Sequence, residues 1–487
     1  MAIGWQLKGD GRTLGPDEVV GPHERLSWGR TVGLGMQHVV AMFGATFVFP
    51  VLMGLNPQLA IMMSGVATIL FLLVVQGRVP SYLGSSASFV GVVVAIQGQG
   101  GTPQQVTGAL FTAGAALAVV GVVLHVAGAA ALTRVLPPVV TGAVVMLIGF
   151  NLAPVVADTY WPQDQWIAVI VMGAVIAMSV GLRGFLGRIS IFLGLLIGYV
   201  LSFAADRLFG PITSFSPAAG QVSTHMRVDW SAVQAAPWVG LPPATDAAAG
   251  VVGWHLPQFH PAFMIAALPV VIALVAENVG HVKAVAEMTG ENLDPVMGRA
   301  VAADGVAAML ATAVGGSPTT TYAENIGVMA STRVYSTAAY YVAALTAILV
   351  GFSPKFGAIV SATPGGVLGG ITVVLYGMIG LLGAKIWKEN RVDFANPLNL
   401  VPVAAGIIIA IGDTSLQITP DFTLSGIAFG TIVTVVAYHL ARVLAPAEMR
   451  RRADGATLVL THPGSDDLGE TGLEDDPDRR RSPLDER

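Results

Sequence analysis

Long apolar stretches and short polar breaks alternate along most of this chain. An apolar stretch of about 17 to 25 residues can cross a hydrocarbon core of roughly 30 Å as a helix. The pattern therefore predicts membrane-spanning helices near residues 28–52, 57–75, 106–127, 139–156, 166–180, 189–203, 261–284, 298–313, 338–352, 366–382, 400–411 and 424–444. We expect an all-α polytopic membrane protein.

Two further segments are short and polar, and each opens with a proline, Pro80 or Pro318. The first reads PSYLGSSASF, and the second contains three successive threonines, residue types that favour extended backbone. Non-helical backbone at membrane depth is tolerated where it is buried in protein or lines a cavity. We predict that these broken segments pair as short antiparallel β-strands at a binding site. Ordinary Gly/Ser loops outside the membrane are the alternative, and the matched positions disfavour it.

The order of segments repeats on the two sides of a polar, Pro-rich stretch at 207–260. Seven segments precede this stretch and seven follow it, with the broken one third in each half. An odd number of spans forces the second copy into the opposite orientation. The predicted fold therefore has 14 transmembrane segments as two inverted 7-span repeats (7+7), with segments 3 and 10 broken.

The same pattern divides the chain into five regions. We expect a polar, loosely ordered N-terminal arm at 1–24, repeats at 25–206 and 261–445, an extracytoplasmic loop at 207–260 and a disordered charged tail at 446–487. Lys and Arg concentrate in the short loops of one side, which predicts that both termini are cytoplasmic in a multi-pass protein of the cell membrane. The arginines after the last span are expected to favour anionic lipid.

Composition excludes several classes of protein. Apolar residues make up 54% of the chain and charged residues 11%, and the mean hydropathy is +0.69, which rules out a soluble globular domain of this length. The absence of cysteine excludes thiol catalysis and thiolate metal sites. The chain also lacks a His-rich or Asp-rich constellation typical of a membrane-embedded enzyme. We therefore predict no catalytic residues, no metal, no cofactor beyond a coupling ion and no nucleic-acid partner.

Two carboxylates in apolar surroundings are the main candidates for function. Glu324 stands with Asn325 at the first turn of the second half-helix, and Glu277 lies deep in an apolar run. Burial of a carboxylate costs several kcal/mol unless the group is paired or protonated. His281 follows Glu277 by one helical turn on the same face, and the two could bind a planar polar ligand or pass a proton. A tie between helices for Glu277, or a cytoplasm-facing helix end for His281, is the simpler alternative.

Four other polar or aromatic residues lie in or beside the apolar segments. Asp304 is alone in the ninth segment, where a proton relay and a lock between helices are equally compatible with the sequence. Gln37 and His38 fit a hydrogen-bonded packing pair better than an outer shell of the site. Tyr322, two residues before Glu324, could stack on a flat ligand.

Several separated motifs together resemble those of the nucleobase–ascorbate transporter family. The string AENIGVMASTRVYS, from Ala323 to Ser336, has the spacing of the family signature and is most similar to the bacterial uracil permease branch. The Gln37–His38 pair, the PSYLGSS run and the ENVGH run ending at His281 also match. The resemblance implies a core domain of segments 1–4 and 8–11, a gate domain of segments 5–7 and 12–14, and a homodimer formed through the gate domain.

The resemblance also implies a ligand site. In this reading the Glu277 and Glu324 carboxylates bind the base, with His281 and Tyr322 beside them. Uracil permeases carry Phe after Gly-Ser-Ser, whereas this chain has Ala87 there and Phe89 two residues later, so the stacking partner on that wall differs. Asn325 is expected in the same binding set.

The predicted function is import of a nucleobase, with uracil first, by proton symport and alternating access. Glu277, His281 and Asp304 are the candidate proton carriers. A xanthine, uric acid or other purine permease of the same family is the alternative, and the sequence does not choose between H⁺ and Na⁺. An anion transporter or channel of the same 7+7 fold is a remote alternative, because carboxylates at both central positions repel an anion.

Overall fold

The computed structural model describes residues 4–15, 18–128, 136–216, 221–246, 248, 250–419, 422–424 and 426–454. We number helices of nine or more residues from α1 in chain order. The first half contains α1 Trp28–Leu52, α2 Pro57–Val74, α3 Val90–Gly98, α4 Pro103–Ala127, α5 Pro138–Phe150, α6 Gln165–Gly181 and α7 Ser190–Phe209. The second half contains α8 Val270–Thr289, α9 Asp294–Ala313, α10 Ala323–Thr332, α11 Thr337–Gly351, α12 Gly365–Glu389, α13 Pro397–Ile411 and α14 Gly426–Leu444.

Shorter elements join these helices. The short helices are Ala87–Phe89, Ala153–Val155, Val156–Tyr160, Trp161–Gln163, Phe185–Arg188, Ser231–Ala235, Pro261–Ala267, Pro354–Ser361 and Ala447–Asp454. The strands are β1 Gln6–Leu7, β2 Glu24–Arg25, β3 Leu83–Ser85, β4 Ile212–Ser216, β5 Gln221–His225, β6 Thr319–Thr321, β7 Leu416–Thr419 and β8 Phe422–Leu424.

Helix starts follow local sequence signals. The Asn56 side chain accepts a hydrogen bond from the Leu59 amide, and Pro57 occupies the first turn of α2. Thr102 and Gln105 form a reciprocal capping box at the start of α4, where proline again fits because its missing N–H would have no helical partner. These caps explain why the predicted spans begin within a few residues of the observed helices.

Many of the helices have the length and composition of membrane spans. Within the described residues, nine helices meet both conditions, or ten if the bent pair Thr337–Gly351 and Pro354–Ser361 forms one span. The two helices of that pair meet at 86°. The protein is therefore a mainly helical, multi-pass membrane protein.

The two broken segments pair as predicted. Strands β3 and β6 are antiparallel, with Leu83 opposite Thr321, Gly84 opposite Thr320 and Ser85 opposite Thr319. All six residues are buried, which satisfies the condition for extended backbone inside a membrane protein. This sheet joins the two halves of the chain, because β3 belongs to the first half and β6 to the second.

Helix packing also relates the two halves. Helix α9 packs along α4, and α11 packs along α2. A second group has α5 against α12, α6 against α7 and α13 against α14. Each helix of the first half corresponds to the helix seven numbers later. The pair α4–α9 then corresponds to α11–α2, and the pair α6–α7 corresponds to α13–α14, as a repeat predicts.

Glycine permits the closest of these crossings. A Cβ on Gly298 in α9 would lie 2.3 Å from the His125 amide nitrogen, and one on Gly121 in α4 would lie 2.1 Å from the Ala302 nitrogen. Contacts this short against backbone allow no side chain, so the two helices can approach only through glycine. This is the small-residue packing typical of membrane helices.

The N-terminal arm is ordered where it is described, contrary to the prediction. Strand β1 pairs with β2 in parallel, and Val20 bridges to Val334 beyond α10. Trp5 Nε1 donates to Thr337 Oγ1 at 2.8 Å. Other backbone groups of the arm bond to a segment more than 300 positions away, a contact that its polar, Gly-containing local sequence does not reveal.

The predicted disordered tail also begins with structure. Residues 447–454 are helical, and the Asn396 side chain donates to the Met449 carbonyl at 2.9 Å. This contact docks the start of the tail on α13. The remainder of the predicted tail, 455–487, lies outside the described residues.

The predicted loop at 207–260 contains a hairpin, β4–β5, followed by a short helix. Arg227 pairs with Asp164 at 2.6 Å and with Asp206 at 3.1 Å, which fixes the hairpin to the ends of α6 and α7. Farther along, the His255 ring contacts Thr107 Oγ1 of α4 at 3.1 Å. The loop therefore contacts both packed groups of helices.

Candidate functional site

A cavity of about 1520 Å³ lies beside the β3–β6 sheet. Its inner wall comes from the turn after β3, from β6 and the start of α10, and from α8. Its opposite wall comes from α5, α12 and α14. The cavity thus lies between the two packed groups of helices, at the place predicted from the broken segments.

Glu277 and Glu324 both line this cavity. Ser88 Oγ lies 3.4 Å from Glu277 Oε2 and donates to it. Neither carboxylate belongs to any of the ion pairs formed among the described residues. Two hydrogen-bond acceptors without a neutralising cation favour a ligand that carries N–H donors and disfavour an anion.

His281 lines the cavity one turn beyond Glu277. Its Nδ1 contacts Thr321 Oγ1 at 2.7 Å, and Thr321 also contacts Asn278 Oδ1 at 3.3 Å. This contact links α8 to β6. The predicted grouping of Glu277 and His281 on one face is present.

Asp304 lies behind the cavity wall and is completely buried. Its Oδ2 accepts from Asn278 Nδ2 at 2.7 Å and from Thr320 Oγ1 at 3.3 Å, while its Oδ1 lacks a hydrogen-bond partner in the described structure. The carboxyl group therefore ties α9 to α8 and to β6. It reaches the cavity only through these neighbours.

Tyr322 lines the cavity, and its hydroxyl group is held by two hydrogen bonds. The hydroxyl donates to the Ser85 carbonyl at 2.7 Å and accepts from Thr46 Oγ1 at 3.1 Å. A Cβ on Gly84 would lie 2.6 Å from the Tyr322 ring, so only glycine lets strand and ring come so close. The ring is therefore held against β3.

Asn325 is placed differently from the sequence-based expectation. It is fully buried and lies outside the cavity wall, because its Nδ2 donates to the His38 carbonyl at 3.0 Å and contacts the His38 ring at 3.1 Å. The His38 ring in turn packs on Tyr340, with centroids 4.4 Å apart. Asn325 therefore positions α10, and His38 has the packing role that the sequence favoured. Gln37 is half-buried beside it and takes no part in these contacts.

Phe89 also departs from its expected place. Its side chain is completely buried in the apolar core, whereas Ala87 and Ser88 line the cavity. The short 3₁₀ turn at 87–89 points successive side chains in different directions. Ala87 leaves this part of the wall without an aromatic ring, and Ser88 supplies a hydroxyl instead.

Sequence reasoning did not assign site roles to Ser88, Thr320, Thr321 and Asn278. The three hydroxyl residues lie in the broken segments, where a run of Ser and Thr beside a helix start was the available signal. Asn278 directly follows Glu277, but only the fold shows that it faces Asp304. Ser88 bonds to Glu277, Asn278 and Thr320 bond to Asp304, and Thr321 links Asn278 to His281.

On one side the cavity reaches the charged ends of helices. Lys283, Lys385 and Arg442 line this end together with the acidic Glu287 and Glu389. These residues belong to the basic side of the predicted topology. The cations lie toward the C-terminal ends of α8, α12 and α14, whereas Glu277 lies in the middle of α8 and Glu324 in the first turn of α10.

Comparison with known families and proteins identifies the family of this chain. The family model Xan_ur_permease, described as Permease family, matches residues 29–419. The putative pyrimidine permease RutG of Escherichia coli K12 is 44% identical over 439 residues, covering 89% of this chain and 93% of that protein. The uracil permease of Bacillus caldolyticus is 34% identical over 427 residues, covering 85% and 92%. The uracil permease of Escherichia coli K12 is 32% identical over 455 residues, covering 90% and 98%.

Solved structures share the fold at low sequence identity. The overall structure of SLC26A9 matches with a TM-score of 0.56 at 12% identity, covering 85% of this chain and 65% of that one. The murine Slc26a9 anion transporter in the inward-facing state matches with a TM-score of 0.57 at 11% identity, covering 85% and 68%. Such identities support a common fold and nothing finer. On the family match and the permease relatives, this chain belongs to the Xan_ur_permease family and is a membrane transporter, not an enzyme.

Proposed function

We propose that this protein imports a nucleobase, with uracil as the first candidate, as a secondary active transporter. The observation that carries the proposal is the pair of carboxylates, Glu277 and Glu324, which line the cavity and belong to none of the ion pairs among the described residues. Relatives named as uracil and pyrimidine permeases support the same class of substrate. A neutral, planar ring with N–H and carbonyl groups fits this set of side chains.

The roles of the wall residues follow from their chemistry. Glu277 and Glu324 accept hydrogen bonds from ring N–H groups, and His281 binds beside them. The Tyr322 ring packs against the face of the base. Ala87 has a small side chain and leaves room on the wall formed by the first broken segment. Because of that space, a purine base is the competing candidate substrate.

Transport is proposed to proceed by alternating access. The core domain, α1–α4 with α8–α11, moves against the gate domain, α5–α7 with α12–α14, and the cavity between them opens to one side at a time. The proposed framework has 14 spans in two inverted repeats, with both termini cytoplasmic in the cell membrane. The basic residues in the cavity lining support an inward-open arrangement. A homodimer formed through the gate domain is part of the proposal.

A proton is the proposed coupling ion. Glu277 takes up the proton with the base on the outer side and releases both on the inner side, with His281 and Asp304 as further carriers. A buried carboxylate that gains a proton loses its desolvation cost, so proton and substrate binding support each other. Protonation would thereby couple the substrate to the proton gradient.

Uptake of labelled uracil into cells that lack their own uracil permease tests the proposal. We expect uptake that a protonophore abolishes and that excess uracil competes away, with thymine, xanthine, urate and sulfate as the comparison panel. Thermal stabilisation of the purified protein by the same panel reports binding without transport. Competition by xanthine or urate alone would favour the purine reading, and competition by sulfate alone the anion reading. Uptake that resists the protonophore would overturn proton coupling.

A further inference from the structure

We propose that Asn278 and Thr321 hold neutral His281 in the tautomer with the proton on Nδ1, so that Nε2 faces the cavity as a hydrogen-bond acceptor. This inference rests on the proposed function, because it assigns a role to a wall residue of the same site. It makes Asn278 and Thr321 positioning residues. A ligand must then offer an N–H group, and not a carbonyl oxygen, to neutral His281.

Two neighbouring oxygens fix the orientation of the Asn278 amide. Its Nδ2 lies 2.9 Å from the Leu274 carbonyl and 2.7 Å from Asp304 Oδ2. A backbone carbonyl can only accept, so the NH₂ end must face Leu274 whatever the protonation state of Asp304. The oxygen of the amide is therefore the atom directed at Thr321.

The Thr321 hydroxyl group connects the Asn278 amide oxygen to the His281 ring. It has one hydrogen, which it donates to Asn278 Oδ1 at 3.3 Å. The contact between Thr321 Oγ1 and His281 Nδ1, at 2.7 Å, then requires a donor on the histidine side. Nδ1 of His281 consequently carries the proton.

A neutral imidazole has one N–H group, so the other nitrogen of His281 is left with a free lone pair. Since His281 lines the cavity and Nδ1 faces Thr321, Nε2 is the nitrogen available to a ligand. The cavity then presents three acceptors, the Glu277 and Glu324 carboxylates and Nε2. When the ring gains a second proton, Nε2 becomes a donor and the preference reverses.

Nitrogen NMR of the full-length protein with ¹⁵N-labelled histidine, in lipid nanodiscs without substrate, tests the tautomer directly. The pH is raised until the ring signals stop changing, and the His281 signals are identified by their loss in His281→Gln. We expect the non-protonated nitrogen of His281 to be Nε2. A proton on Nε2 in the neutral ring would overturn the inference. This measurement needs no substrate, so its outcome is independent of whether the protein transports uracil.

Three substitutions in β6 separate positioning from packing. Thr321→Val keeps the shape but removes the hydroxyl, so we expect His281 to lose the NMR signature of a proton fixed on Nδ1. Thr321→Ser restores the hydroxyl and should restore the signature. Thr319→Val is the matched control, because the buried Thr319 hydroxyl has no hydrogen-bond partner in the described structure. An unchanged signature in Thr321→Val, or its loss in Thr319→Val, would contradict the assignment.

Discussion

The two broken segments form one small sheet, but different chemistry fastens each strand to its neighbouring helix. On the first side the Tyr82 hydroxyl meets Ser64 Oγ of α2 at 2.9 Å. On the second side Thr320 Oγ1 donates to the buried Asp304 carboxyl of α9 at 3.3 Å. Neutral hydroxyl groups are therefore sufficient to hold a strand against a helix. Burial of a carboxyl group costs more free energy than burial of a hydroxyl group, so the presence of Asp304 in one half points to a role beyond packing.

The same difference is present in what each segment offers to the cavity. The first contributes Ala87 and Ser88, which shape the wall and orient Glu277. The second contributes Thr321, Tyr322 and Glu324. The first half therefore provides mainly shape, and the second provides most of the titratable and hydrogen-bonding groups.

The largest expected effect comes from removing the acid of the second segment. Glu324→Ala should abolish uracil binding, with an apparent Kd raised roughly hundredfold or more, because hydrogen bonds to a charged group contribute about 1.5–3 kcal/mol each and the wall also loses its shape. Ligand-induced thermal stabilisation and uptake measure the effect. Glu291→Ala, in the loop before α9, is the control and should bind normally. Unaltered binding in Glu324→Ala would mean that the site lies elsewhere.

A matched pair of substitutions compares the two side chains, Asp304 and Ser64, that hold the broken segments on their neighbouring helices. Asp304→Asn keeps acceptors for Thr320 but cannot take up a proton, so we expect uptake to fall roughly tenfold or more while the protein stays folded. Ser64→Ala removes two neutral hydrogen bonds, one to the Ile61 carbonyl and one to the Tyr82 hydroxyl, and should lower the free energy of unfolding by about 2 kcal/mol, with uptake retained. Uptake and thermal unfolding are measured for both. Equal losses of uptake in the two variants would show that Asp304 has only a structural role.

Most of this framework could be predicted from the sequence, because its signals are local. The length of apolar stretches gave the helices, and the matched prolines Pro80 and Pro318 gave the paired strands. Glu277, Glu324, His281 and Tyr322 were predicted at the site, and all four line the cavity.

The parts that sequence reasoning missed depend on distant contacts or on side-chain direction. Asn325 turns to His38, which is 287 positions away, and no local pattern reports that contact. Phe89 points into the core because a short 3₁₀ turn sets its direction. The N-terminal arm has a polar, Gly-containing sequence, and its order comes from hydrogen bonds to the chain around Val334.

A smaller effect on stability and binding is expected from adding a side chain between strand β3 and the Tyr322 ring. Gly84→Ala adds a Cβ that would lie 2.6 Å from the Tyr322 ring, and such overpacking typically costs 1–3 kcal/mol. We expect a lower thermal unfolding temperature together with weaker binding, because the ring must move. Gly98→Ala, at the end of α3 with no atom within 4 Å of the added Cβ, is the control. A Gly84→Ala protein as stable as Gly98→Ala would show that the ring has room to yield.

The smallest effect concerns the arm that covers the end of the second broken segment. Trp5 donates to Thr337 Oγ1 and packs edgewise on Tyr341, with ring centroids 5.6 Å apart. Because Trp5 is only half-buried, Trp5→Ala should lower the free energy of unfolding by about 1 kcal/mol, the size of one hydrogen bond with partial packing. Thermal unfolding in nanodiscs measures the loss, with the exposed Gln6→Ala as the control.

The same Trp5→Ala protein also shows whether the arm influences the site. The arm holds the chain just after α10, since the Val20 amide donates to the Arg333 carbonyl at 3.0 Å and the Tyr335 amide donates to the Val20 carbonyl at 2.8 Å. These backbone bonds remain in the variant, so we expect uracil affinity to change less than twofold. A larger loss of affinity than of stability would show that the arm sets the position of α10, and the second segment would then depend on a contact made outside its own repeat.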